Sequence, residues 1–136
     1  MPTVLFVDDE PALLSATRRS LRSEPYEVFT AESAQEALEL FEKHDIDVVV
    51  SDARMPVVSG FAFLEKVKER SPSTVRIMLT GEADLSSASA LIQSGDLYRF
   101  LSKPLLPPAL RSVVSGALAM RRWRREAELH GPVSAP

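Results

Sequence analysis

Ile46-Asp47-Val48-Val49-Val50-Ser51-Asp52 decides the fold. Three consecutive valines favour extended backbone, and so short an apolar run, closed by an acid, reads as a central strand buried on both faces. Similar runs lie on either side of it. Val4 to Val7 (VLFV) precedes Asp8 and Asp9, Val75 to Leu79 (VRIML) precedes Thr80, and Leu97 to Ser102 (LYRFLS) precedes Lys103. A shorter strand, Glu27 to Thr30, follows the Pro25-Tyr26 break. Helical spacing fills the intervals, so the chain alternates strand and helix through five strands. Such alternation with short connections implies an open parallel sheet with helices on both faces and right-handed crossovers. Five strands favour the order 2-1-3-4-5, whose switch point lies between the first and third strands. Asp8, Asp9 and Asp52 stand at those two strand ends.

The helical intervals carry their own signals. Pro11 suits an opening turn, and Leu13, Leu14, Thr17 and Leu21 recur behind it at helical spacing. Ser33-Ala34-Gln35-Glu36 fits a capping box, with Ala34, Ala37, Leu38 and Phe41 as the buried stripe. After a loop from Ala53 to Ser59, Phe61, Leu64 and Val67 mark an inner face that closes at Ser71-Pro72. Asp84 is placed to cap a helix using Leu85, Ala88, Leu91 and Ile92, with Gly95 as its stop. A last helix is expected from Pro107-Pro108 to about Leu129, over 30 Å at about 1.5 Å per residue and longer than the sheet needs. Leu110, Val113, Val114, Ala117 and Leu118 pack it down. Val113, Gly116, Met120, Trp123 and Ala127 continue a stripe suited to a short coiled-coil seam. Residues 1–118 thus form the domain, and residues 119–136 a helical extension ending in a tail, Gly131 to Pro136.

Composition excludes several classes. The chain has 136 residues, enough for one domain with a substantial core. It has no cysteine, so disulfides and thiolate metal sites are excluded, in keeping with a reducing compartment. Only two histidines, His44 and His130, stand far apart, which argues against a histidine metal site. No run reaches membrane-spanning length, and the first strand begins at once with no basic flank, so a cytoplasmic location is expected. The net charge of -3 argues against nucleic acid as the partner of this chain. The Arg121-Arg122-Trp123-Arg124-Arg125 cluster reads as a solvated face beside a dimer seam or a link to a further domain.

Three carboxylates, a hydroxyl and an ammonium at one sheet edge call for a cation and an anionic partner. A strand-end aspartate such as Asp52 can accept a phosphoryl group, since carboxylates form acyl phosphates. Attack on an anionic phosphorus needs its charge neutralised. Asp8 and Asp9 offer hard oxygens suited to Mg²⁺. Lys103 supplies a point charge, and the Thr80 hydroxyl and the amides after Asp52 supply donors.

Four motifs, in order and each at a strand end, now coincide: Val7-Asp8-Asp9-Glu10-Pro11, Asp52-Ala53-Arg54-Met55-Pro56 through Gly60, Leu79-Thr80-Gly81, and Lys103-Pro104. From residue 4 to about 118 the chain resembles the receiver domain of bacterial two-component response regulators. Receivers are themselves a standard example of the 2-1-3-4-5 order, so that topology follows partly from the resemblance. The resemblance implies a phosphorylation-dependent signalling switch in which a sensor histidine kinase, or a phosphotransfer protein, supplies the phosphoryl group to Asp52. Asp9, Asp52 and the Arg54 main-chain carbonyl would ligate Mg²⁺, with Asp8 helping through water. Thr80 would move inward and Phe100 would swing in behind it. Phe100 lacks the phenol many relatives carry, so its inward state depends on packing alone. Arg54 and Glu82 would tune phosphoryl lifetime, pairing with each other across the site mouth.

Each residue also has a plainer reading. Asp8, Asp9 and Glu10 could serve the following helix N-terminus, Thr80 could bond backbone, and Phe100 is core in either case, with Tyr98 an exposed aromatic. Two other functions fit part of the pattern. A degenerate receiver would act only as a dimerisation or scaffold module, which the intact site residues oppose. An aspartate-nucleophile phosphatase needs a second aspartate two residues on as general acid, and Arg54 occupies that position. The Leu97 to Leu101 strand with Lys103-Pro104 is similar to receivers joined to cyclic-dinucleotide phosphodiesterase or other enzymatic effectors. A longer protein with an unidentified effector, and a homodimer through Met120, Trp123 and Ala127, are therefore expected.

Overall fold

Apolar β-branched runs produce the strands the sequence asks for. The computed structural model describes residues 1–104 and 106–130, excluding the His130 side chain; the expected tail from Gly131 to Pro136 lies outside the described residues. The elements alternate as β1 (Thr3–Val7), α1 (Pro11–Ser20), β2 (Glu27–Ala31), α2 (Ala34–Lys43), β3 (Val48–Asp52), α3 (Gly60–Arg70), β4 (Val75–Thr80), α4 (Leu85–Gln93), β5 (Arg99–Ser102) and α5 (Pro107–His130). A short 3-10 turn, Glu82–Asp84, leads into α4. All strands are parallel in the order 2-1-3-4-5, as expected, and β1, β3 and β4 are buried throughout.

Side chains alternate across the sheet and divide the core in two. Leu5, Val7, Val49 and Met78 pack with Ala34, Ala37, Phe63, Leu64, Val67 and Ala88, so α2, α3 and α4 cover this face. Val4, Phe6, Val48, Val50, Ile77 and Leu79 pack with Leu14, Leu21, Leu110, Val114, Ala117 and Leu118, under α1 and α5. Right-handed crossovers from a sheet grown outward on both sides of β1 and β3 give this two-to-three division of helices.

Several local expectations need correction. Phe63, with no exposed surface, holds the inner face of α3, while Phe61 is only half-buried; the helix starts at Gly60 and its phase turns Phe63 inward. Ser33 caps α2 by accepting from the Glu36 amide at 3.1 Å, but the Glu36 carboxylate closes on the Glu32 amide, one residue before the usual partner. Asp84 occupies the N-cap position of α4 without capping it. Tyr98 is half-buried against the α5 side of the sheet rather than exposed. Arg76, hidden within an apolar run, is buried on β4, where the carbonyls of Asp96, Thr74 and Pro72 accept its N–H groups at 3.1 to 3.2 Å.

The last helix is 24 residues, about 36 Å long. Its basic cluster is not wholly a solvated face. Arg121 is 5% exposed, with ion contacts to Asp45 at 3.2 Å and Asp47 at 3.3 Å. Arg125 also pairs with Asp45. Asp47 is tied in turn to β1, accepting from the Thr3 amide at 2.8 Å. These contacts clamp the carboxyl half of α5 to the turn before β3, at the sheet end opposite the acids. Trp123 remains 63% exposed.

Candidate functional site

Four strand ends bring the expected side chains together. Asp52 closes β3, Asp8 and Asp9 follow β1, Thr80 closes β4, and Lys103 follows β5. The parallel register pairs Asp52 with Leu79 and Thr80 with Ser102, which sets the β3, β4 and β5 ends level. The Lys103 amide donates to the Thr80 carbonyl at 3.0 Å, extending that ladder by one residue.

Asp8, Asp9 and Asp52 each offer a carboxylate oxygen within 4.8 Å of the others. Asp52 is 5% exposed and Asp8 2%, whereas Asp9 is open to solvent. Lys103 Nζ donates to one oxygen of Asp52 at 2.9 Å, and the Arg54 amide to the other at 3.3 Å. Burial lowers the Lys103 pKa, but the bond to Asp52 and the surrounding acids outweigh it and hold the amine above its ordinary value. Asp8 is the poorly compensated member. Burial raises its carboxyl from 3.8 to about 6, against the relief of the Glu10 amide at 3.0 Å, and the charge of Asp52 pushes the same way as burial.

Two buried oxygens beside Asp52 have no hydrogen-bond partner, Asp8 Oδ2 and Thr80 Oγ1. Buried polar atoms are normally satisfied, so these two call for an explanation, and a group bound beside Asp52 supplies one. Oδ2 of Asp8 in an all-oxygen cluster fits a hard divalent cation with retained waters. The Thr80 hydroxyl, a donor with no acceptor, fits an oxyanion. The donor set of Asp8, Asp9 and Asp52 therefore suits Mg²⁺.

The loop after β3 shapes the mouth. Its ends close through the Gly60 amide donating to the Ala53 carbonyl at 2.9 Å. A Cβ on Gly60 would lie 1.9 Å from the Asp52 carbonyl oxygen, so the sequence motif's final glycine is a steric requirement. Val57, fully exposed at the loop tip, holds a φ of 69°, a strained value for a β-branched residue. No sequence signal marks it.

Arg54 does not pair with Glu82. Its guanidinium instead forms a bidentate pair with Asp84, at 2.9 and 3.1 Å. The 3-10 turn presents Asp84 inward and leaves Glu82 exposed. Asp84 caps nothing because it ends a 3-10 turn that runs straight into α4, with a ψ of 3° instead of the extended value a capping residue takes. Phe100 is half-buried against the core on the α2–α4 side of the sheet.

A 2-1-3-4-5 sheet with clustered acids at its switch point defines the class as a CheY-like fold. Residues 4–115 match the response regulator receiver domain, and the chain belongs to that family. It is 38% identical over 116 residues to the hydrogenase transcriptional regulatory protein HoxA of Cupriavidus necator, covering 85% of this chain and 24% of HoxA. It is similar to the structure described as adenylate cyclase from Rhodopirellula baltica, with a TM-score of 0.89, 33% identity and 93% of each chain covered. The signal receiver domain of an HD domain-containing protein from Pseudomonas fluorescens Pf-5 gives a TM-score of 0.84, with 34% identity and 92% of each chain covered. The chain spans about a quarter of the length of the curated relative HoxA. Among the described residues, no helix is long and apolar enough to cross a membrane.

Proposed function

We propose that the chain is a phosphorylation-controlled switch with Asp52 as phosphoacceptor. The observation that supports this best is the pair of unpartnered buried oxygens flanking Asp52, one an acceptor suited to a cation and one a donor suited to an oxyanion. A carboxylate oxygen of Asp52 attacks the phosphorus of a phosphohistidine. An O–P bond forms as the P–N bond breaks, and the electron pair leaves with the imidazole of a sensor kinase or phosphotransfer protein. Mg²⁺, held by Asp9, Asp52 and the Arg54 main-chain carbonyl with Asp8 assisting through water, would neutralise phosphoryl charge. Lys103, already on Asp52, swings its ammonium to a phosphoryl oxygen, and the Thr80 hydroxyl donates to another. Inward movement of Thr80 leaves space behind it that Phe100 can enter by packing alone, since it has no phenol to bond.

The switch is non-enzymatic towards external substrates, because Arg54, paired with Asp84, stands where an aspartyl phosphatase needs its general acid. Residues 1–118 form the receiver body. Residues 119–136 would be the extension, and Arg121 and Arg125 set the direction of its described part, residues 119–130. Exposed Trp123, with half-buried Met120 and Ala127, would build a homodimer seam there. A cytoplasmic response regulator with a further effector fits these features, and the described structures and relatives carry names from more than one effector class. Incubation with a phosphorylated sensor kinase tests the assignment. Transfer should occur to wild type and not to Asp52→Asn, with no phosphate released from small phosphomonoesters. Turnover of those monoesters would contradict it.

A further inference from the structure

The bidentate contact between Arg54 and Asp84 joins the loop that carries the phosphoacceptor to the turn that opens α4. It is lopsided. The arginine side chain is 74% exposed and the aspartate side chain 11%. The arginine is rooted at the reaction centre, since its own amide donates to Asp52. Its guanidinium, largely exposed, is held among the described residues by Asp84 alone. Asp84, by contrast, closes the 3-10 turn that runs directly into α4, with its side chain turned inward. Arg54 engages both of its carboxylate oxygens.

We propose that Asp84 is a positioning residue that holds Arg54 off Asp52 in the resting state, and that a phosphoryl group on Asp52 draws the guanidinium away from it. This inference rests on Asp52 being the phosphoacceptor. A phosphoryl group carries more negative charge than a carboxylate and three strong acceptor oxygens, so it outcompetes Asp84 for a planar, bidentate donor. The exchange links chemistry at Asp52 to the turn that opens α4 through one arginine, separately from the Thr80–Phe100 route. It also draws Arg54 over the phosphorus, where it shields against hydrolysis, the step in which water attacks phosphorus and the P–O bond to Asp52 breaks with the carboxylate leaving.

Phosphoryl lifetime on Asp52 is the direct readout, measured on the full chain after labelling with acetyl phosphate and Mg²⁺. Asp84→Asn, which weakens the resting hold on Arg54, should lengthen the lifetime about threefold or more, as expected where a freed guanidinium bonds an anion. Asp84→Glu should return it toward wild type. In an Arg54→Ala background, itself a change at an exposed side chain, Asp84→Asn should alter nothing. The ¹H–¹⁵N signal of Arg54 Nε should also shift when beryllofluoride is added to wild type. An Asp84→Asn effect that persists undiminished without Arg54, or an unchanged lifetime in Asp84→Asn, would overturn the exchange while leaving Asp52 as phosphoacceptor. Failure of wild type to take up label would overturn both.

Discussion

Asp8 shows how a single residue reports on the site. It titrates near 3.8 when solvated and near 6 in the fold, chiefly because it is buried. Between those values the folded chain binds the proton that the unfolded chain has lost, so stability falls as pH rises. Fully expressed, the shift costs about 3 kcal/mol at neutral pH. Asp8→Asn keeps an acceptor for the Glu10 amide and removes the charge. In chelator, the variant should melt above wild type at about pH 7.5 and converge with it near about pH 4. Added Mg²⁺ should raise the wild-type melting temperature more than that of the variant. Equal melting of the two proteins across this range would remove Asp8 as the strained acid. Asp8, Asp9, Asp52, Thr80 and Lys103 were all legible in the sequence because each sits just past an apolar run. The partner of Arg54 was not. Glu82 and Asp84 are both acids near a strand end, and only the 3-10 turn decides which one faces the arginine.

Among the elements, strands were easier to read than helices. An apolar run announces its own burial, whereas a helix face depends on where the helix starts. Gly60 as first residue puts Phe63 in the core and moves Phe61 to the edge. Arg76 escaped notice because one charge inside an apolar run carries no local sign that distant carbonyls will receive it. The same holds for α5, whose length was readable but whose attachment depends on Asp45 and Asp47, far back in the chain. Arg121→Met would leave Asp47, only 13% exposed at its side chain, without its nearest cation. Urea denaturation should show a loss of about 3 kcal/mol, as for breaking a buried pair from one side. A change under about 0.5 kcal/mol would mean that the clamp is incidental.

At the scale of the whole molecule, the fold works as two separated ends. Acids, hydroxyl and lysine gather at the carboxyl edge of the sheet, and the arginine clamp on α5 lies at the amino edge. The strand order was legible because five strands with short connections leave few alternatives, and because the motifs match receivers. The way α5 leaves the body was not, since it rests on contacts between residues far apart in sequence. If Met120, Trp123 and Ala127 form a seam between two copies, ultracentrifugation of the chain cut after Leu118 should show weaker self-association than the full chain. Equal association would assign any dimer to another face.

The central claim is that neighbouring acids hold a divalent cation so that Asp52 can carry phosphorus. Labelling with acetyl phosphate, followed by mapping of the modified residue by mass spectrometry, tests it most directly. The account predicts stoichiometric modification of Asp52 with Mg²⁺ present, little with chelator, and none in Asp52→Asn. Label that appears equally without Mg²⁺, or on another residue while Asp52 stays unmodified, would contradict it.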